Sequence, residues 1–168
     1  MNRAGRSTAA LAALALAGAL LAGCVQPARI PPGTPSAEVA RALGQPTGRY
    51  ALPGGGQRWQ YSSQPSGQTV YNVDLDADGR VAGVQQALGE ALFGQRIRPN
   101  EWTRDDVLRE YGPPARTMGA HNFNGIIWIW RYLDGQTWRL LFIDIDPGGV
   151  VRGWSNGDED MPERRGRR

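Results

Sequence analysis

The sequence predicts an α+β chain of two tandem units, each a short helix followed by antiparallel strands. Three observations predict it. First, the chain repeats itself. Val39 to Pro46 matches Val107 to Pro114 at an offset of 68, Trp59 and Tyr61 match Trp130 and Tyr132 at 71, Gly67 to Thr69 matches Gly135 to Thr137 at 68, and Asp74 to Gly83 matches Asp144 to Gly153 at 70. Four blocks in one order indicate duplication. Second, both helical stretches stop at a glycine, Gly44 or Gly112, with a proline two residues on. Third, Tyr71, Val73 and Leu75 alternate with Val70, Asn72, Asp74 and Asp76, the period of a half-buried strand, and Asp78-Gly79 then turns the chain back through 80–84.

Taken in order, Met1 to Arg6 is a basic start without acids, and Ala9 to Leu20 is an apolar run too short to span a bilayer as a helix. This is the pattern of a secretory signal. In unit one, Thr34 is the expected cap with Pro35 at the first helical position, and Val39, Ala42 and Leu43 share a face. Pro53 to Gly56 falls in a loop between helix and first strand, as does 122–125 in unit two. Between the units, Ala87, Leu88, Ala91, Leu92 and Phe93 give 85–97 the spacing of an amphipathic helix, which leads unit two and has no counterpart in unit one. Thr103 with Asp106 forms a capping box for the next helix, whose apolar side is Val107, Leu108 and Tyr111. The last hairpin turns through Asp146 to Gly149. The boundaries expected are a signal over 1–23, a tether over 24–32, units over 33–85 and 86–156, and a tail over 157–168. The tail has no apolar period and reads as disordered; Arg164, Arg165, Arg167 and Arg168 are solvated or touch anionic headgroups.

Composition removes several classes of function. One cysteine, Cys24, allows no internal disulfide and no multi-thiolate metal site. Removing the 23 signal residues from 168 leaves 145, with 17 basic and 16 acidic side chains, a net +1. That balance gives no electrostatic case for nucleic acid as a partner. All the basic residues are arginine, which reads as coding bias.

Leu21-Ala22-Gly23-Cys24 resembles the lipobox of bacterial lipoproteins. The resemblance implies cleavage before Cys24 and acylation of its sulfur and new amine. Val25, where an aspartate would imply inner-membrane retention, implies the outer membrane. Each buried CH₂ of the acyl chains contributes about 0.8 kcal/mol, so two or more chains give near-permanent attachment. Gly33-Thr34-Pro35-Ser36-Ala37-Glu38-Val39, continued by Leu43-Gly44 and Pro46, resembles the G-M-T-x-x-x-V…L-G-x-P signature of the SmpA/OmlA (BamE-like) outer-membrane lipoprotein family, without its methionine. Glu101 to Val107 with Tyr111-Gly112 and Pro114 resembles it again. The resemblance implies two helices packed on a small antiparallel sheet in each unit, and for the pair a likeness to the β-lactamase-inhibitor protein fold with its concave protein-binding face. It implies a non-enzymatic, lipid-anchored protein on the periplasmic face of the outer membrane. The implied partners are outer-membrane β-barrel assembly subunits or other envelope proteins. Family members of this kind have one unit and a longer polar segment after the anchor; here there are two, and only Val25 to Ile30 follows the cysteine.

Three candidate sites follow from the residues. Asp74-x-Asp76-x-Asp78-Gly79 opens like an EF-hand loop, but position twelve is Gln85 and unit two has Gly148 for the third aspartate. It reads as a hairpin turn, and no metal or cofactor is expected. His121, the single histidine, has no Ser or Asp tied to it by a motif, so no catalytic residue is assigned; an unrecognised hydrolase centred on it is the enzymatic alternative. The third is a face. In unit one the non-core side of the middle strand is Val70, Asn72, Asp74 and Asp76, which can face water. The matching side of unit two is apolar: Trp138, Leu140 and Phe142, with Ile127 and Ile129 on the neighbouring strand. Its other side, with Trp128, Trp130, Tyr132, Leu141 and Ile143, is apolar as well. Such a sheet must be covered, either within the chain or by a protein docked on Ile127, Ile129, Trp138, Leu140 and Phe142. A periplasmic inhibitor or binding module using the joint sheet surface is a further alternative, and Trp154 belongs to either face.

Overall fold

The computed structural model describes residues 26–160; the expected signal (1–23), the expected lipidation site Cys24, Val25 and residues 161–168 lie outside the described residues. The helices are short. Helix α1 spans Ser36–Leu43, α2 Glu90–Arg96 and α3 Arg104–Tyr111. Pro35 precedes α1 with φ −63° and no side-chain cap, because the Thr34 hydroxyl donates to the Pro31 carbonyl at 2.7 Å instead. At α3 the Asp106 carboxylate reaches back to the Thr103 N–H at 2.8 Å. Gly44 (φ 78°) and Gly112 (φ 67°) end α1 and α3 in a backbone region that favours glycine.

Eight strands follow these helices in two antiparallel sheets. The first is β1 (Gly48–Ala51), β2 (Gln57–Ser62), β3 (Val70–Leu75) and β4 (Val81–Gln86). The second is β5 (Arg116–Ala120), β6 (Phe123–Asp134), β7 (Thr137–Ile145) and β8 (Val151–Asp158). Each is a meander in chain order. The expected fold class, α+β units of helix plus sheet like the β-lactamase-inhibitor protein, is therefore corrected: the described chain is mostly sheet, with three helices of about two turns. The physical reason is local. Glycine and proline cut every helix short, while β-branched and aromatic residues carry β6 through twelve residues. Two strands are unexpected, β1 and β5, so Pro53 to Gly56 and 121–122 are hairpin turns within the sheets. Residues 85 and 86, expected to be helical, end β4, and α2 begins only at Glu90. Residues 157–158, expected in the tail, end β8 opposite Leu140 and Arg139.

The repeat is visible in the hydrogen bonds. Gly33 N–H donates to Val81 O and Val81 N–H to Thr34 O; 67 to 70 residues on, Asn100 N–H donates to Val151 O and Val151 N–H to Trp102 O. Ser36 N–H donates to Gly79 O as Arg104 N–H does to Gly149 O. In both places the segment entering a helix is stitched to the start of the last strand.

The layers run α1, first sheet, α2 with α3, second sheet. Val39, Trp59, Val73, Leu75 and Val81 join α1 to one face of the first sheet, and Ile30 of the tether packs among them. Phe93, Val107 and Tyr111 join α2 and α3 to the inner face of the second sheet at Trp130, Tyr132, Leu141 and Ile143. Phe93 meets Tyr132 edge-on at 5.2 Å and Trp154 at 5.9 Å, which assigns Trp154 to the inner face. The side of β3 expected to face water is instead an internal boundary. Val70 and Asn72 are buried, and Asn72 donates to the Glu110 carbonyl at 2.9 Å. Arg58 binds Asp74 at 2.7 Å and Glu110 at 2.6 Å, and Arg96 also pairs with Glu110. Of the polar residues spaced like a solvent face, Asn72 is thus satisfied by α3 and Asp74 by Arg58, while Asp76 does face water.

Candidate functional site

Strand register sorts the second sheet into two faces. Across its outer face run Arg116 and Met118 of β5, Ile127, Ile129, Arg131 and Leu133 of β6, Trp138, Leu140, Phe142 and Asp144 of β7, and Gly153, Ser155 and Gly157 of β8. Helices α2 and α3 pack on the other face, so among the described residues no helix covers this one. The structure brings all five expected docking residues together here. Ile129 (0% exposed) and Leu140 (6%) form the buried centre, while Ile127, Trp138 and Phe142 are half-buried around them. The expectation missed Met118, opposite Ile127, and Leu133, opposite Trp138. These are the two exposed large hydrophobic side chains among the described residues, at 43% and 44%. Continuing the alternation of 127 and 129 along β6 leads to Leu133; β5 gives no such signal.

The edge strand leaves the patch open. With Gly153, Ser155 and Gly157 on this side, β8 adds little bulk, and an added Cβ at Gly157 would meet the Phe142 ring at 3.6 Å. One end is closed by a polar strap. The Arg131 guanidinium lies 5.2 Å from the Trp138 ring centroid, binds Glu159 at 2.8 Å, and donates to the carbonyls of Pro65 and Ser66. Those carbonyls belong to the β2–β3 loop of the first sheet, whose Gln64 side chain also donates to Arg131 O at 2.7 Å and accepts from Arg131 N–H at 3.3 Å. A side-chain amide here replaces a strand partner, since β5 reaches only as far as Arg116 opposite Ile129. At the other end Asp144, in no ion pair among the described residues, sits opposite Ile127, and burial raises its pKa above the ordinary carboxylate range.

The remaining candidates are dispersed. Asp74 is paired with Arg58, while Asp76 accepts from the N–H groups of Asp78 and Arg80 at 3.0 and 2.9 Å, so these carboxylates hold a turn and an ion pair. His121 is exposed in the β5–β6 turn. Among the described residues no helix is long and apolar enough to cross a membrane.

No protein-family model and no curated protein matches the chain. Among solved structures, a DUF4309 family protein (YjgB) from Bacillus subtilis is similar over 74% of this chain and 78% of its own, at 15% identity and a TM-score of 0.31. A likeness that low carries no argument about fold or function.

Proposed function

We propose that this chain is a non-enzymatic, lipid-anchored protein of the bacterial outer membrane that binds other envelope proteins through the outer face of its second sheet. The observation that carries the reading is the coincidence of Met118 and Leu133, the two exposed large apolar side chains among the described residues, on a sheet face that no described helix covers. A buried apolar centre, half-buried aromatics around it and a charged strap at the rim make the anatomy of a docking surface. The lipobox at Cys24 supports the location. The two SmpA/OmlA-like motifs direct the search for the partner towards β-barrel assembly subunits.

The test is co-purification from detergent-solubilised membranes with the wild type and with Met118→Asp and Phe142→Asp. Met118→Asp places charge at an exposed position and Phe142→Asp at a half-buried one, so the domain should keep its circular dichroism, Met118→Asp most securely, and lose its envelope partner. A partner retained by both folded variants would refute the face; a partner set confined to soluble periplasmic proteins would favour the inhibitor-module alternative. An envelope phenotype for His121→Ala at unchanged protein level would revive the enzymatic one.

A further inference from the structure

We propose that the β2–β3 hairpin of the first sheet and the β6–β7 turn of the second form the bilayer-facing end of the molecule, with Leu133 entering the lipid interface. The inference rests on the reading of Cys24 as an acylated anchor. Its geometry comes from where the tether is seated. Gln26 and Pro27 line one cleft with Tyr61, Ser62, Ser63, Thr69 and Tyr71, at the base of the β2–β3 hairpin. A 3-10 turn over Pro27–Arg29 and the burial of Ile30 (9% exposed) in the first-sheet core fix that path. One residue, Val25, separates Gln26 from Cys24, and two residues of chain span at most about 7 Å. A lipid on Cys24 therefore draws the membrane surface against this hairpin rather than allowing the domain to swing on a long leash.

The hairpin in turn fixes the second sheet. Gln64 holds the Arg131 backbone, and the Arg131 guanidinium holds the carbonyls of Pro65 and Ser66 at 3.3 and 2.9 Å. Beyond Arg131, β6 continues to Leu133, 44% exposed, and to the turn joining it to Thr137 of β7. Residues 63–69 carry no charge and residues 133–138 carry one, Asp134. The opposite ends of the same meanders carry Asp76, Asp78, Arg80, Asp146 and Arg152 in and beside their turns. The tip of the β2–β3 hairpin is itself uncharged, and the charges beside the β6–β7 turn include the ion pairs Arg131–Glu159 and Arg139–Asp158. Leu133 is exposed with Trp138 behind it, an arrangement that suits an interface of headgroups and acyl chains. This end is also where the docking face begins, so a partner seated on that face would itself lie near the bilayer.

The experiment uses the full acylated chain reconstituted in vesicles of phosphatidylethanolamine and phosphatidylglycerol. An environment-sensitive fluorophore is attached to a cysteine introduced as Ser66→Cys, Gln136→Cys or Ala77→Cys, the last in the β3–β4 turn at the far end. The expected result is a blue shift and quenching by lipid-borne nitroxides at 66 and 136, with neither at 77. A response at 77 as large as at 136, or no response at 66 and 136 in acylated protein, would overturn the orientation. Intact mass of the same sample separates the two failures. A mature chain without acyl groups would remove the anchor reading, and this proposal with it.

Discussion

Asp144 is the residue at which the outer face is most easily probed. Burial holds its pKa above the ordinary value, so the folded chain binds that proton more tightly than the unfolded chain. The sign follows: its contribution to stability falls as pH rises from the ordinary carboxylate range through the raised value, and the ionised group remains a cost above it. Asp144→Asn should therefore raise the urea midpoint at pH 7 and leave it unchanged below about pH 3. Tyr111 offers a second test. Its ring is fully buried, its hydroxyl has no hydrogen-bond partner among the described residues, and burial raises its pKa. Tyr111→Phe should be neutral or stabilising by up to about 1 kcal/mol in thermal unfolding, because it removes a desolvated group without removing a bond. Glu110 is the opposite case. Burial works against the charged Arg58 guanidinium, but its hydrogen bond to Asp74 and the charges of Glu110 and Asp74 more than offset that and raise its pKa. With a side chain only 12% exposed and two arginines on it, Glu110→Gln should cost about 1–3 kcal/mol in urea unfolding.

At the scale of the element, the turns are legible in the sequence and the edges are not. Gly44, Gly79, Gly112 and Gly149 all take positive φ where the chain must stop a helix or reverse a strand. Gly112 is the most constrained, because a Cβ there would run into the Gln60 side chain of the first sheet. Gly112→Ala should destabilise the chain by about 1–3 kcal/mol through strain and that contact, visible as a lowered thermal midpoint. Strands β1 and β5 carry no readable signal: both lie at sheet edges, and four of the five residues of β5 are exposed, so neither needs an apolar alternation. The polar side of β3 misleads for a different reason. Asn72 and Asp74 have the spacing of a wet face, and only the tertiary approach of α3 to Asn72 and the pairing of Asp74 with Arg58, itself bound to Glu110 of α3, turn them into an internal boundary. Five of the apolar residues of the outer face, Ile127, Ile129, Trp138, Leu140 and Phe142, are legible because alternation along β6 and β7 fixes which side each occupies. Which side the helices take depends on long-range packing and cannot be read from spacing.

For the whole molecule, the arrangement of layers assigns each surface its task. One face of the first sheet is occupied by α1, and its other face shares α2 and α3 with the second sheet. The outer face of the second sheet is left with apolar residues and, among the described residues, no helix. The seating of the tether at the opposite sheet's hairpin sets how that face meets a membrane. The central claim is that this face is open for a protein. Site-specific photocrosslinking in intact cells tests it most directly, with the photoreactive residue at Met118 or Phe142 and, as control, at Arg41 on exposed α1. The account predicts a discrete adduct with an envelope protein from 118 and 142 and none from 41. Absence of adducts at both outer-face positions, or an equal adduct from position 41, would contradict it.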